Sequence, residues 1–268
     1  MPAVELAGRR VLLTGASGGI GQAIAVALHR RGAHLLLSGR RAEVLEEIRS
    51  GLGEPAECLV ADLSGAAGAA ELAQRAGRVD VLVANAGLPG SGRVEDFSPE
   101  EIDRVLDVNL RAPIQLTRAL LPGMLARRNG HLVFVSSLAG KVGSMRSGIY
   151  SASKFGLRGF AAGLREDLHG SGVGVTVVFP GFVAGAGMFA EAEIELPRGV
   201  GTSSPEQVAD AVVAGIERRR AEIDVAPLPL RIGATLAALA PVTMARLQRR
   251  MGSSQLADAL ADAQRAKR

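Results

Sequence analysis

The sequence predicts an α/β domain: a doubly wound parallel sheet with helices on both faces, followed by a C-terminal helical extension. Three observations carry that expectation. Short apolar, strand-like runs alternate with stretches of helical periodicity from Arg10 onward. The strand candidates are apolar throughout, as they must be when helices cover both faces. The first of them runs directly through a glycine-rich turn into the first helix.

Taken in order, the strands are expected over 10–14, 33–38, 57–61, 79–84, 131–136 and 173–179, with a short one over 222–226. A helix over 20–31 stops at Gly32, and one over 43–50 stops at Gly51. The Ala/Gly-rich stretch 64–77 reads as a loop and a small-residue helix. Ser98-Pro99-Glu100-Glu101 opens a long helical region: serine suits the N-cap, proline the first helical position, and the acids the positive helix end. A further helix leads to Arg128. Another carries Tyr150 and ends near Gly170, and Pro205 opens one more after a Gly/Ala-rich loop over 180–204. No linker divides the chain, so residues 1–226 are expected to form one domain and 227–268 an extension of it.

Composition bounds the function. Apolar residues make up 47% of the chain and charged ones 22%, enough for a substantial core and against disorder. Aromatics are 3% and tryptophan is absent, which removes the stacking platforms that single-stranded nucleic acid needs; no nucleic-acid partner is expected. The net charge of +4 is small, and Arg9-Arg10, Arg127-Arg128 and Arg218-Arg219-Arg220 read as solvated faces or helix ends. Cys58 is the sole cysteine, so no internal disulfide forms, which fits a reducing compartment. The N-terminus has no apolar h-region, and the longest apolar window, 232–245, is broken by Pro241 and is shorter than the roughly 20 residues that span a bilayer. A cytoplasmic protein is expected.

Two stretches carry chemistry. In Tyr150-Ser-Ala-Ser-Lys154 the only tyrosine stands four residues before a lysine, so on a helix both side chains share a face. A phenol of pKa about 10 trades protons poorly near neutrality. A nearby ammonium stabilises the phenolate, and the phenol can then act as general acid or base on a carbonyl or alcohol. Ser137 ends a strand-like run, and ligands bind at the carboxyl edge of open α/β sheets. In Thr14-Gly-Ala-Ser-Gly-Gly-Ile-Gly21, the glycines at 15, 19 and 21 permit a tight turn and let backbone approach a pyrophosphate at a helix N-terminus. His29, His34, His131 and His169 show no ligand-like clustering and read as helix- or strand-end residues; no metal is expected.

Thr14–Gly21, Asn85-Ala-Gly87, Asn109, Ser137, Tyr150/Lys154 and Pro180-Gly181 stand in the order and spacing of the short-chain dehydrogenase/reductase superfamily, and the chain resembles its compact, single-domain branch from about Arg9 to Ala226. The resemblance implies a Rossmann-type fold and hydride transfer between a nicotinamide cofactor and a small-molecule carbonyl/alcohol pair. It implies that Ser137 orients the substrate oxygen, Tyr150 exchanges its proton, Lys154 lowers the tyrosine pKa and bonds the nicotinamide ribose, and Asn109 anchors a water through its carbonyl. Gly15, Ser17, Gly19, Ile20 and Gly21 would hold the pyrophosphate side. Asp62 and Leu63 would meet the adenine, although Asp62 also suits a turn cap. Asn85, Ala86, Gly87, Pro180, Gly181 and Val183 would line the nicotinamide side. Relatives commonly bear threonine where this chain has Gly185, so backbone contacts or a mobile loop are expected there. NAD-preferring relatives carry an acid where this chain has Gly39; Arg40 follows and would bind a 2′-phosphate, which points to NADP(H).

Selectivity is expected from 182–203 with residues after Ser137 and Asn85. Leu138, Val142, Met145, Met188, Phe189 and Ile194 are candidate lining residues and suggest a lipophilic substrate. The competing readings are a 3-oxoacyl thioester reductase and a catalytically silent NADP-binding or scaffold protein. In the tail, Leu228, Leu230, Ile232, Leu236, Leu239, Met244, Leu247 and Met251 interleave with arginines. They fit a helical pair over the substrate mouth, an oligomer contact, or, least favoured, a membrane-surface helix. Residues 257–268 are expected to fray. By the same resemblance a homodimer or homotetramer is expected, built partly through the Tyr150 helix.

Overall fold

The computed structural model describes residues 4–65, 67–190, 201–250 and 253–265. Seven strands form one sheet in the order β3-β2-β1-β4-β5-β6-β7. They are β1 Arg10–Thr14, β2 His34–Gly39, β3 Ala56–Val60, β4 Val81–Ala84, β5 Gly130–Val135, β6 Val173–Pro180 and β7 Glu222–Val225. Every pairing is parallel. The strand order reverses between β1 and β4, which leaves a crevice at the carboxyl ends of the central strands.

Alternate strand residues feed two separate cores. Val11, Leu13, Leu35, Leu37, Val81, Val83 and Val133 pack on one face with Ile24 and Leu28 of α1 (Gly19–His29) and Val208 and Val212 of α8 (Pro205–Glu217). Leu12, Leu36, Leu82, Leu132 and Phe134 face the other way, onto Leu72 of α3 (Gly68–Ala76), Leu116 and Leu120 of α5 (Ala112–Ala126) and Leu157 of α6 (Gly148–Asp167). Each such side chain, fully buried, stabilises the fold by about 1.5–3 kcal/mol before ordering costs. The doubly wound, Rossmann-type architecture is thus the one expected. Ser98 caps α4 (Pro99–Leu106) in a full capping box with Glu101, as its sequence suggests, and Ser204 does the same for α8 with Gln207.

Several local expectations are corrected. Gly51 lies inside α2 (Ala42–Leu52), which ends instead at Gly53, where φ is +78°. Between α4 and α5 the helix widens into a π-helical turn, Asp107–Arg111, that carries Asn109. The Gly/Ala-rich loop contains a short helix, α7 (Gly187–Ala190). His131 stands near the start of β5, as a strand-end residue, but belongs to the core. It is fully buried in β5, and its Nε2 donates to Thr176 Oγ1 at 2.8 Å, because the threonine hydroxyl is already donating to the Arg220 carbonyl at 2.6 Å. The tail is three helices rather than a pair: α9 (Leu228–Leu239), α10 (Pro241–Arg250) and α11 (Ser253–Gln264). Helix α11 holds residues 257–264 of the stretch expected to fray. Arg146 Nε bonds Asp258 at 2.6 Å, and Gln264 Nε2 donates to the Met188 carbonyl at 3.3 Å.

Candidate active site

A single cleft of about 1160 Å³ runs along the carboxyl ends of β1, β2, β4, β5 and β6. At one end lies the glycine-rich turn. Gly15 takes φ +67°, and a β-carbon there would come 2.8 Å from Ala86 Cα. Gly21 lies against the Gly15 carbonyl, which no side chain could share. Asn85 latches this turn to β4: its Nδ2 donates to the carbonyls of Thr14 (3.1 Å) and Gly15 (3.2 Å), while Thr14 Oγ1 accepts from the Asn85 and Ala86 amides. No side chain caps α1, so its first-turn N–H groups stay available to an anion. A dinucleotide pyrophosphate fits this cradle.

Arg40, Asp62 and Leu63 line the adjoining stretch of the cleft. Arg41 turns back, its Nη2 donating to the Ser17 carbonyl at 2.5 Å. Asp62 accepts from the Ser64 amide at 2.9 Å, which closes a turn and holds its carboxyl below the usual range; the Arg40 and Arg104 charges add to that lowering. The turn-capping and cleft-lining readings of Asp62 therefore hold together.

The reactive end lies between β5 and α6. Ser137 stands just beyond β5 and caps a short 3₁₀ turn, Leu138–Gly140, through the Ala139 amide at 3.1 Å. Its hydroxyl lies near enough to the Tyr150 phenol to pull that group's pKa down. Lys154 is buried, with Nζ 5.7 Å from the centre of the Tyr150 ring and donating to the Val135 carbonyl at 3.1 Å. Asn109, fully buried, accepts from the Leu88 amide at 2.7 Å and donates to the Leu88 carbonyl (2.9 Å) and to Ser153 Oγ (3.2 Å). Ser153 in turn donates to the Tyr150 carbonyl at 2.7 Å. Gly87 packs between these groups: a β-carbon there would come 3.4 Å from Asn109 Oδ1 and 3.7 Å from Lys154 Nζ.

Burial dominates the electrostatics. It pushes the Tyr150 phenol up to about 12, with the Ser137 hydrogen bond pulling the other way. It pulls the Lys154 ammonium down to about 8. The net shift of Tyr150 in the free protein is thus upward, opposite to the expected lowering, because burial outweighs the pull of Ser137.

The family model of the short chain dehydrogenases matches residues 9–196. The chain belongs to that family. It is 36% identical over 259 residues to the ketoacyl reductase HetN of Nostoc sp., covering 92% of this chain and 90% of that one. It is 35% identical over 261 residues to dehydrogenase/reductase SDR family member 7B of Bos taurus, covering 88% and 79%. Among solved structures, a metagenomic short-chain oxidoreductase in complex with NADP matches with TM-score 0.69 at 34% identity, covering 83% of this chain and 97% of that one. As a short-chain dehydrogenase it is an oxidoreductase acting on CH–OH groups of small molecules, and its family binds NAD(P).

The fold brings together every catalytic and cofactor-binding candidate named from the sequence. These line the cleft except Asn109, which lies just behind Gly87. Of the expected lining residues, Leu138, Val142, Met145, Met188 and Phe189 are in the cleft wall; Ile194 lies outside the described residues, as does Met251 in the tail. Sequence reasoning missed the closure over the glycine-rich turn, where Gly19 lies against Ala186 and Gly187 against Ile20. The bare glycines at 185 and 187, with φ +71° and +80°, were its signal. It also left open that Pro229, Leu230 and Ala234 of α9 and Ala257 and Leu260 of α11 complete the wall.

Proposed function

We propose that this short-chain dehydrogenase interconverts a lipophilic ketone or aldehyde and its alcohol with NADP(H) in the cytoplasm, using Tyr150 as general acid and base. The observation that carries the reading is the convergence of Ser137, Tyr150 and Lys154 on one cleft, with Lys154 Nζ 5.7 Å from the Tyr150 ring centre and Leu138, Val142, Met145 and Phe189 in the same wall.

In this reading Gly15, Ser17, Gly19, Ile20 and Gly21 hold the pyrophosphate, and Arg40, Asp62 and Leu63 the adenosine end. Asn85, Ala86, Gly87, Pro180, Gly181 and Val183, with Tyr150 and Lys154, flank the nicotinamide side. When bound, the cofactor supplies or accepts the hydride. Ser137 donates to the substrate oxygen and holds the carbonyl carbon in place. Tyr150 gives its proton to that oxygen in reduction and takes one in oxidation. Protonated at neutral pH, the phenol has the proton that reduction requires. The phenolate left behind is stabilised by the Lys154 ammonium, whose own value near 8 suits it to pass a proton on. Asn109 spends its side chain on Leu88 and Ser153, holding the π-helical turn so that its carbonyl can anchor a water. Arg40 selects the 2′-phosphate, since Gly39 leaves no acid to repel it. The chain works as a homodimer or homotetramer through α6, where Phe155 is exposed.

A second reading, reduction of a 3-oxoacyl thioester, is favoured by the likeness to a ketoacyl reductase. Consumption of NADPH and NADH with lipophilic ketones and with 3-oxoacyl thioesters separates the two. Tyr150→Phe is expected to lower turnover about 10²- to 10⁴-fold while leaving NADPH bound. Unchanged turnover would sink the assignment. Binding without turnover in the wild type across the panel would leave the silent binding protein.

A further inference from the structure

Helix α9 has two faces of opposite use. Leu230, Gly233 and Ala234 close the cleft, and Ala234 and Ala237 are buried. On the other side Leu228, Ile232, Leu236 and Leu239 recur at i, i+4, i+8 and i+11, one stripe on a helix. With Val242 of α10 they are between 48% and 79% exposed. Other exposed large hydrophobics are scattered along the chain, but these five stand together on α9 and the start of α10, and such a patch marks a contact surface.

Charge decides what covers it. From Pro227 to Leu256 the chain has four arginines (Arg231, Arg246, Arg249 and Arg250) and no acidic residue. Arg231 and Arg246 are exposed. The nearest acids on either side are already paired, Asp224 with Lys141 and Asp258 with Arg146. A second copy docked through this face would set arginines against arginines. A lipid surface with anionic headgroups offers both an apolar layer for the leucines and counter-charge for the guanidiniums. No helix among the described residues is long and apolar enough to cross a membrane, so the contact is peripheral.

We propose that α9 and α10 dock this protein on anionic membranes, with the aliphatic stripe of α9 in the headgroup layer and its inner face still closing the cleft. The test is sedimentation of the full chain with phosphatidylcholine vesicles, with and without phosphatidylglycerol. Binding is expected only with phosphatidylglycerol and is expected to weaken with salt. Ile232→Glu/Leu236→Glu should weaken it at least about tenfold by removing the inserted stripe. Arg231→Glu/Arg246→Glu should also weaken it at least about tenfold. Both variants should keep the wild-type thermal midpoint and mass in solution, since neither pair lines the cleft or the core. Absence of binding, or equal binding by wild type and both variants, overturns the proposal. So does a drop in mass by light scattering for Ile232→Glu/Leu236→Glu, which would make a second copy the occupant.

Discussion

Lys154 Nζ donates a hydrogen bond to the Val135 carbonyl oxygen, 3.1 Å away. That bond ties a buried ammonium to the end of β5, beside the Tyr150 ring, and its cost to the fold can be read by titration. The folded value near 8 lies below the ordinary 10.5. Between those values the unfolded chain still holds a proton that the folded chain has released, so this group makes stability rise with pH from 8 to 10.5. Below pH 8 the penalty is present in full. Lys154→Met should therefore gain thermal midpoint relative to wild type at neutral pH, a gain that shrinks across the 8–10.5 window. Its turnover should fall at least about a hundredfold. A pH-independent difference in midpoint would contradict the assignment of a charged, buried lysine.

Arg40 and Arg41 both line the cleft, but their partners differ. Arg41 is tied to the Ser17 carbonyl at 2.5 Å, whereas the Arg40 charge acts on Asp62. Arg40→Asp replaces a charge-assisted hydrogen bond by repulsion. It should lower NADPH affinity about 10- to 100-fold and leave NADH affinity within a few-fold. Arg41→Asp should move the ratio less. Fluorescence titration of both cofactors measures it, and an unchanged ratio in Arg40→Asp would refute NADP preference through this residue.

Gly21 and Gly18 separate need from habit in the glycine-rich turn. A β-carbon at 21 would overlap the Gly15 carbonyl and come 2.8 Å from Ala16 Cα, and both obstacles are backbone. At Gly18 the nearest atom would be 3.6 Å away, an ordinary contact. Gly21→Ala should thus abolish measurable dinucleotide binding and cost about 1–3 kcal/mol of stability through overpacking. Gly18→Ala should retain binding. Calorimetry on the pair checks both statements.

His131 is a stability sensor rather than a site. Burial, with the Arg219 charge adding to it, pulls its imidazole down to about 3. The folded value lies below the unfolded 6.5, so its contribution is complete above pH 6.5 and is lost as pH falls toward 3. Within that window the slope approaches about 1.4 kcal/mol per pH unit. Urea titrations of wild type and His131→Gln between pH 7 and pH 4 should show the wild type losing stability faster, by a few kcal/mol overall. Parallel curves would mean that the imidazole does not stay neutral.

The sequence by itself determined the sheet, the glycine-rich turn and the catalytic and cofactor-side candidates that meet at the cleft. The reason is locality. Apolar runs, capping residues such as Ser98 and the four-residue step from Tyr150 to Lys154 act within one element, and parallel strands must place their carboxyl ends along one edge. The family's spacing carried the roles that no local rule supplies. Tertiary structure alone decided the rest. Burial reversed the expected direction of the Tyr150 shift, because desolvation depends on walls contributed by distant elements. His131 became a core residue because Thr176 of β6 accepts its hydrogen bond. The tail left three readings open, and packing decided only its inner side: a helix pattern names an apolar stripe, but only the arrangement of α9 over the cleft tells which stripe is buried and which still faces water.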